Sequence, residues 1–187
     1  TGYVEWVLGD LLPKSTMHVI TELDAESGAL FARNPYNIEF TDRVAFLDVD
    51  DTIRSLTGDR TEFLGRNGTM RRPASLARAR LSGRVGAALD PCAAIQDPFE
   101  LADGHEREIV FRLGVGRNSD DARSLARRFR GATAARRALD AVWQYWSHAL
   151  GAVHVDTPDA SLNVLANGWL VYQTLACRLC ARSGYYQ

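Results

Sequence analysis

Polar side chains interrupt the longest apolar segment of the chain, residues 161–187, at positions that could carry chemistry. The apolar residues of this segment recur at helical spacing and also occupy the opposite face, which predicts a buried helix. Buried amide and guanidinium groups cost free energy unless they find partners. We therefore expect them either to line a polar cavity or to join a hydrogen-bond network, and a core helix in which each polar group has a partner is the plainer alternative. They are Asn163, Asn167, Gln173, Arg178 and Arg182.

Gly184 is suited to end this helix, because glycine is the usual residue just after a helix C-terminus. Two aromatic residues follow it, Tyr185 and Tyr186, before Gln187. Tyrosine combines an apolar ring with a polar hydroxyl, so such a pair is a good platform for a sugar.

A cluster of carboxylates, Asp48, Asp50 and Asp51, follows an apolar segment that is predicted to be a strand. Carboxylates could bind a cation, but the sequence D-V-D-D lacks the ligand spacing of a calcium loop. The sequence therefore predicts no metal site. Cys177 and Cys180 form a C-x2-C motif inside a helix without a second pair, which favours two small buried residues over zinc ligands.

Residues 114–119 (GVGRNS) follow a predicted strand and resemble a dinucleotide-binding fingerprint. The strands before them are joined by turns and no βαβ unit surrounds the motif, so we reject that interpretation. Asn118 or Ser119 as a helix N-cap, with Asp120 and Asp121 in the first turn, explains the same residues.

The elements that must position these residues fall into two groups. Alternating apolar patterns and turn signals predict strands over residues 3–8, 18–24, 29–33, 43–49 and 108–113. Helical periodicity predicts helices over residues 120–130 and 133–150, and a last one that starts near Thr157 and Pro158. The helix over 133–150 has a broad apolar face formed by Ala135, Leu139, Val142, Trp143 and Trp146. The strands precede the helices along the chain, which indicates an α+β fold. We expect an antiparallel β-sandwich portion over 1–116, a helical linker over 117–156 and a further helical unit over 157–187.

Composition excludes several classes of protein. The chain has 187 residues, of which 46% are hydrophobic and 24% charged, so it is an ordinary globular sequence. A net charge of −1 gives no basic surface for nucleic acid or anionic membranes, and we expect no signal peptide. Three cysteines are too few for a disulfide framework, which favours a reducing compartment. Because it lacks an initiator methionine, we expect the chain to be a piece of a longer polypeptide.

Taken together, these motifs resemble glycoside hydrolase family 94, the glycoside phosphorylases that include cellobiose and chitobiose phosphorylases. The similarity is closest to the phosphorylase-like C-terminal region of bacterial cyclic β-1,2-glucan synthases. It covers essentially the whole chain and rests on residues 3–9 (YVEWVLG), 32–37 (ARNPYN) with Phe40 and Arg43, 57–60 (TGDR), 62–68 (EFLGRNG), 81–86 (LSGRVG), 167–173 (NGWLVYQ) and 182–187 (RSGYYQ).

The resemblance implies part of an antiparallel β-supersandwich, a helical linker and the first helix of an (α/α)6 catalytic barrel that starts within residues 157–187. It implies inverting phosphorolysis of β-glucosidic bonds, with inorganic phosphate as co-substrate and no cofactor. Arg182 matches the arginine that binds the sugar on the non-reducing side of the scissile bond, and Tyr185, Tyr186 and Gln187 lie beside it. The catalytic residues, including the general-acid Asp, are expected downstream of Gln187, so this chain alone should be inactive. Cys180 stands where the family usually has tryptophan.

Three functions stay open at the level of the sequence. The first is a phosphorylase-type segment that sets the length of β-1,2-glucans during cyclic glucan synthesis. The second is a stand-alone cellobiose, cellodextrin or β-1,2-oligoglucan phosphorylase, and the third is a non-catalytic carbohydrate-binding sandwich. The implied partners are a β-glucan oligosaccharide and phosphate, with no nucleic acid and no direct membrane contact, and a homodimer is allowed. The implied location is the cytoplasm, or the cytoplasmic face of the inner membrane.

Overall fold

The computed structural model describes the backbone of residues 1–179 and the side chains of residues 1–177. Contacts divide the chain into one unit over Thr1–Ala135 and a second that begins at Arg136. The strands, in chain order, are β1 (Gly2–Glu5), β2 (Ile20–Leu23), β3 (Leu30–Arg33), β4 (Val44–Val49), β5 (Ser55–Asp59), β6 (Pro91–Gln96) and β7 (Phe111–Gly116). The α-helices are α1 (Leu12–Ser15), α2 (Arg60–Leu64), α3 (Ser119–Arg128), α4 (Ala132–Leu150), α5 (Ala160–Val164) and α6 (Leu170–Thr174).

The seven strands form two antiparallel sheets. One has the order β1-β6-β5 and the other the order β2-β3-β4-β7, and every pairing is antiparallel. The predicted α+β class, with a sandwich followed by helices, is therefore confirmed. No helix of the described residues is long and apolar enough to cross a membrane.

Three apolar clusters hold the sandwich unit together and place it in four layers. The largest lies between the sheets and includes Trp6, Leu30, Leu47 and Ile95. A second packs α3 on the outer face of the four-stranded sheet, through residues such as Phe31 and Ala122. The third joins α2 to the outer face of the three-stranded sheet, through residues such as Phe63 and Cys92. Both faces of the central strands β3, β4 and β6 are covered, which explains why these strands lack a clean polar face.

The structure adds two strands that the pattern did not predict, β5 and β6. β6 is the central strand of its sheet, and its small residues Cys92, Ala93 and Ala94 are fully buried between neighbouring layers. β5 contains Gly58, where an added Cβ would lie 2.4 Å from Thr21 Oγ1. Neither strand has the alternating pattern of large apolar residues on which strand prediction depends. The residues around Pro13 form the short helix α1, in which Pro13 occupies the first turn.

Gly114 and Gly116 lie within β7 and not in a loop after it. A Cβ at Gly114 would lie 2.6 Å from the Phe46 ring, and one at Gly116 would lie 2.3 Å from the backbone nitrogen of Ala122. The glycines therefore allow close packing of β7 on Phe46 and on the start of α3. The predicted cap of α3 is confirmed, because Asn118 Oδ1 accepts a hydrogen bond from the Asp121 backbone at 2.9 Å.

An ion pair ties α3 to the loop between β2 and β3. Arg123 donates to both carboxylate oxygens of Asp24, with Nη2 lying 2.8 Å from Oδ1, and Ser27 donates to Oδ2 at 2.6 Å. The hydrogen bonds from Arg123 and Ser27 outweigh the effect of burial and lower the pKa of Asp24 to about 2. Asp24 is buried, so this pair contributes to the docking of α3.

We expect the Asp24 pair to stabilise the fold above pH 4 and to be lost as the pH falls toward 2. A depressed pKa stabilises the folded state above the unfolded pKa, about 3.9, and that contribution disappears as pH falls through the folded value. The shift corresponds to about 2 kcal/mol. Urea unfolding of the wild type and Asp24→Asn between pH 7 and pH 2 measures it. The difference in unfolding free energy should shrink toward zero at the acid end, and a constant difference would contradict this account.

The second unit is helical and exposes much of its apolar surface. After α5, the backbone forms a π-helical segment at Leu165–Trp169, then α6, then a second π-helical segment at Leu175–Leu179. The prediction of a helix buried on all faces is wrong for the described side chains, since Trp169 is 54% exposed. No residue of α4 is buried, and Trp143 on its predicted apolar face is 66% exposed. Periodicity identified the helices, but burial depends on neighbours that the pattern does not specify.

Candidate functional site

Glu62 lies at the centre of a buried polar cluster built by three of the sequence blocks that carry the resemblance, residues 57–60, 62–68 and 81–86. It belongs to α2, which begins directly after β5 because Asp59 caps the helix by accepting from the Thr61 backbone at 2.9 Å. Thr57 donates to Glu62 Oε2 at 2.6 Å, Ser82 Oγ donates to the same oxygen at 2.7 Å, and the Ser82 backbone donates to Oε1 at 2.8 Å. The carboxylate therefore fixes the loop around Ser82 against the sheet.

Two arginines complete this attachment. Arg78 lies 3.4 Å from Glu62 Oε1, and Arg84 lies 2.8 Å from Asp59 Oδ2. Burial works to raise the pKa of Glu62, but hydrogen bonds from Ser82 and Thr57 outweigh it and hold the pKa below its usual range. Glu62 is ionised and fully engaged, so its role is to position the loop over residues 78–86.

Replacing Glu62 by glutamine is expected to loosen this loop. Glutamine has the same shape but carries an NH2 group in place of one carboxylate oxygen, and that group cannot accept the hydrogen bonds that Ser82 and Thr57 donate. At least one buried donor then lacks an acceptor, so the unfolding free energy should fall by about 2 kcal/mol. Limited trypsin digestion should cut the variant faster at Arg78, Arg80 and Arg84. Glu39→Gln, an exposed change elsewhere, is the matched control. Equal digestion rates for the Glu62 variant and the wild type would exclude this role.

A second charged cluster lies at the end of β4, where the sequence showed three aspartates. Asp48 is fully buried and lies between three arginines. Arg112 Nη2 lies 2.6 Å and Arg130 Nη2 2.9 Å from its Oδ2, and Arg54 Nη1 lies 3.1 Å from its Oδ1 without the alignment of a hydrogen bond. Arg112 also pairs with Asp50. The sequence could not show this network, because the arginines come from separate segments.

An open cleft of about 620 Å³ lies between these two clusters, within the first unit. Its walls include the loop that Glu62 holds, the β2–β3 hairpin and three arginines: Arg54, Arg80 and Arg130. Hydroxyl groups of Ser27, Ser55 and Ser82 also line it. Its two carboxylates, Glu26 and Asp50, are paired with Arg127 and Arg112, and the described residues of the lining include no aromatic ring.

In the second unit, two asparagines join the segment before α5 to the helices that follow. Asn167 accepts from the Val155 backbone nitrogen and donates to the Val155 carbonyl, each at 2.7 Å. Asn163 does the same with Thr157, at 2.9 Å and 2.8 Å. The backbone departs from helical geometry at Asn167 and at Gly168, whose φ of 125° requires glycine. The prediction that these amides join a hydrogen-bond network is confirmed for Asn163 and Asn167.

The four predicted substrate-binding residues lie outside the described residues. They are Arg182, Tyr185, Tyr186 and Gln187, and the helices described above lead toward them along the chain. Cys180 and the Arg178 side chain also lie outside the description. Gln173 accepts from the Cys177 thiol at 3.3 Å.

Every described carboxyl group whose pKa differs from its ordinary value has a lowered pKa. These groups are Glu5, Asp24, Asp51, Glu62 and Asp121. A general acid needs the opposite shift, because it must keep its proton near neutral pH. Burial also raises the pKa of the Cys92 thiol, which makes it a poor nucleophile. The displaced carboxyl groups of the described residues therefore lack the raised pKa that a general acid needs.

Comparison with known protein families matches the chain in two parts. Residues 1–132 match the glycosyl hydrolase 94 supersandwich domain, and residues 145–187 match the catalytic domain of the glycosyl hydrolase 94 superfamily. The order of the two matches agrees with the order of the sandwich and helical units.

Among curated proteins, the chain is 39% identical over its full length to the cyclic beta-(1,2)-glucan synthase NdvB of Rhizobium meliloti, of which it covers 7%. It is 23% identical to the N,N'-diacetylchitobiose phosphorylase of Vibrio furnissii, with 97% of this chain and 23% of that protein aligned. It is 25% identical to the cellobionic acid phosphorylase of Neurospora crassa, with 79% of this chain and 18% of that protein aligned. The chain thus spans less than a quarter of the length of each of these relatives. The supersandwich match over most of the chain shows that it belongs to glycosyl hydrolase family 94.

Proposed function

We propose that this chain is a segment of a glycoside phosphorylase-type domain that acts on β-glucans by inverting phosphorolysis. We further propose that the glucan is β-1,2-linked and that the reaction controls chain length during cyclic glucan synthesis. The observation that carries this proposal is the 39% identity to a cyclic beta-(1,2)-glucan synthase across all 187 residues. The phosphorylases among the other relatives support the type of reaction.

The chemistry needs fewer groups than inverting hydrolysis. Hydrolysis uses one carboxyl group to protonate the leaving oxygen and a second to activate water. Phosphate is already an anion, so the second group is unnecessary and one general acid is enough. Cationic and hydroxyl donors must then hold phosphate beside the anomeric carbon. We place the acid and the phosphate donors downstream of Gln187, outside this chain.

Within this chain, Arg182 is proposed to hold the sugar on the non-reducing side of the scissile bond. Tyr185, Tyr186 and Gln187 are proposed to line the same subsite. The paired asparagines, Asn163 and Asn167, support this arrangement because they fix the backbone at the start of the helical segment that leads to Arg182. The apolar surface of α4 and α6 is proposed to be covered by further helices of a barrel in the full-length protein.

The test is phosphate-dependent release of glucose 1-phosphate by the full-length protein. β-1,2-glucans should be cleaved in the presence of phosphate, whereas β-1,4-glucans should be cleaved at least about tenfold more slowly, a difference of about 1.4 kcal/mol in the transition state. The 187-residue chain alone should release none. Glucan cleavage that is independent of phosphate would contradict the proposal, as would product release by the isolated chain.

A second candidate is a stand-alone phosphorylase for cellobiose or cellodextrins. The alignment with a chitobiose phosphorylase over 97% of the chain favours it. The same assay separates the two candidates, because preferred cleavage of β-1,4-linked substrates would support the second.

For either candidate we propose a location in the cytoplasm or on the cytoplasmic face of the inner membrane. We propose no direct membrane contact through this segment, and a homodimer as one allowed assembly.

A further inference from the structure

The open cleft of the first unit has an excess of positive charge in its lining. Three arginines line it: Arg54, Arg80 and Arg130. The two carboxylates of the lining have partners outside it, because Glu26 pairs with Arg127 and Asp50 pairs with Arg112. Neither carboxylate therefore balances an arginine of the cleft.

The buried carboxylate of Asp48, behind the cleft wall, balances only one of these arginines. It carries one negative charge and lies against Arg54 and Arg130. Its Oδ1 lies 3.1 Å from Arg54 Nη1 but has no hydrogen-bond partner among the described residues. Because Asp50 offsets Arg112, the third arginine beside Asp48, one negative charge is left for two guanidinium groups. One positive charge at the cleft therefore remains without compensation.

Arg80 adds a second uncompensated charge. Its side chain is exposed, and it forms no ion pair with any of the described residues. Its Nη2 makes one long hydrogen bond, 3.4 Å, to the backbone carbonyl of Arg54, which leaves Nε and Nη1 to bind a ligand. Positive charges that share a cleft repel each other, and a bound anion relieves that repulsion. The cleft is thus charged to hold an anion.

The size and the remaining lining of the cleft fit a sugar that carries the anion. A volume of about 620 Å³ lies in the range of small-molecule sites and is far larger than a phosphate group needs. Ser55 Oγ accepts from the Leu81 backbone at 3.0 Å, so its hydroxyl proton can be donated to a ligand. The hydroxyl group of Thr52 lies in the same lining, and Leu23 and Leu56 offer apolar surface to the C–H groups of a sugar ring.

We propose that this cleft binds a phosphorylated hexose, with its phosphate group held by Arg54, Arg80 and Arg130. A phosphate monoester carries about 1.5 to 2 negative charges at neutral pH, which matches the two uncompensated positive charges, whereas a carboxylate matches only one. Arginine suits this role because its planar fork donates two parallel hydrogen bonds to phosphate oxygens. The hydroxyl groups of Thr52 and Ser55 bind the hydroxyl groups of the sugar.

The experiment is a calorimetric titration of the 187-residue chain in about 0.05 M NaCl, where charges are screened less than at physiological salt. The probes are glucose 1-phosphate, glucose 6-phosphate, inorganic phosphate and glucose. At least one of the two glucose phosphates should bind, with one molecule per chain and at least about tenfold more tightly than inorganic phosphate or glucose. The phosphate donors of the proposed phosphorolysis lie downstream of Gln187, so binding here does not require that reaction and would survive its failure.

Two results of this titration would overturn the proposal. The first is that neither glucose phosphate binds. The second is that inorganic phosphate binds as tightly as both of them, because the sugar then makes no contact with the cleft.

Arg80→Ala gives the decisive comparison, with Arg71→Ala as the matched control. Both arginines are exposed, but Arg71 does not line the cleft. Arg80→Ala should bind the glucose phosphate at least about tenfold more weakly, because a charge-assisted hydrogen bond is lost, whereas the control should bind like the wild type. Arg80→Gln, which lacks the charge but keeps a hydrogen-bonding group, should also bind more weakly.

Melting curves should be the same for the wild type and all three variants, because neither Arg80 nor Arg71 has an ion pair to lose among the described residues. Wild-type affinity in both Arg80 variants would show that the ligand lies elsewhere. An equal loss of affinity in Arg71→Ala would show a general attraction for anions. Either result would make the proposal wrong.

Discussion

Changing Arg182 to alanine in the full-length protein is expected to lower glucan phosphorolysis by roughly two to three orders of magnitude. In the proposed site the guanidinium group donates two hydrogen bonds to sugar oxygens in a subsite that excludes water. Hydrogen bonds to a charged group contribute about 1.5 to 3 kcal/mol each. Each 1.36 kcal/mol of lost transition-state stabilisation lowers the rate about tenfold. The measurement is kcat/KM for glucose 1-phosphate release at saturating phosphate.

The control for Arg182 separates catalysis from folding. Arg182→Lys keeps the charge but loses the bidentate geometry, so it should recover little activity. Arg137→Ala, in α4, changes an exposed arginine outside the predicted site. Melting curves of all three variants should stay close to that of the parent protein. Unchanged turnover in Arg182→Ala would remove this residue from the site, and a variant that unfolds would show that Arg182 has a structural role.

Replacing Asp48 by asparagine is expected to lower the unfolding free energy by about 3 to 5 kcal/mol. The side chain is fully buried between Arg54, Arg112 and Arg130, and the Arg112 side chain is itself only 6% exposed. An amide of the same size removes the negative charge that faces three guanidinium groups, and Asp50, which pairs with Arg112, cannot balance all of them. Breaking one partner of a buried ion pair is costly because the remaining charge stays desolvated.

Chemical denaturation at neutral pH measures the effect of Asp48→Asn. The control is Asp120→Asn, whose side chain is 88% exposed and pairs with Arg123 at the surface. It should cost less than about 1 kcal/mol, as exposed ion pairs do. A cost below about 1 kcal/mol for Asp48→Asn would show that the network does not depend on this charge. Activity is not the readout here, because Asp48 lies in the sandwich and not in the proposed sugar subsite.

Local signals were sufficient for much of the secondary structure. Residues 29–33 and 43–49 were predicted as strands and form β3 and β4, because their β-branched and aromatic side chains alternate between two buried layers. Asn118 was predicted as a helix cap and is one, because a cap involves only residues within a few positions. The family resemblance through residues 57–60, 81–86 and 182–187 also came from the sequence alone.

Contacts between distant residues decided the rest. β5 and β6 have no alternating pattern, and their strand geometry depends on neighbours that bury small residues from both sides. The partners of Asp48 and Glu62 lie up to 82 positions away, so their charge balance could not be predicted from local spacing. The sequence by itself determined the longer helices, most strands and the family, because these depend on local periodicity and motif. Only the tertiary structure decided which charges are paired, which are buried and which cavity they face, because electrostatic free energy depends on distance in space.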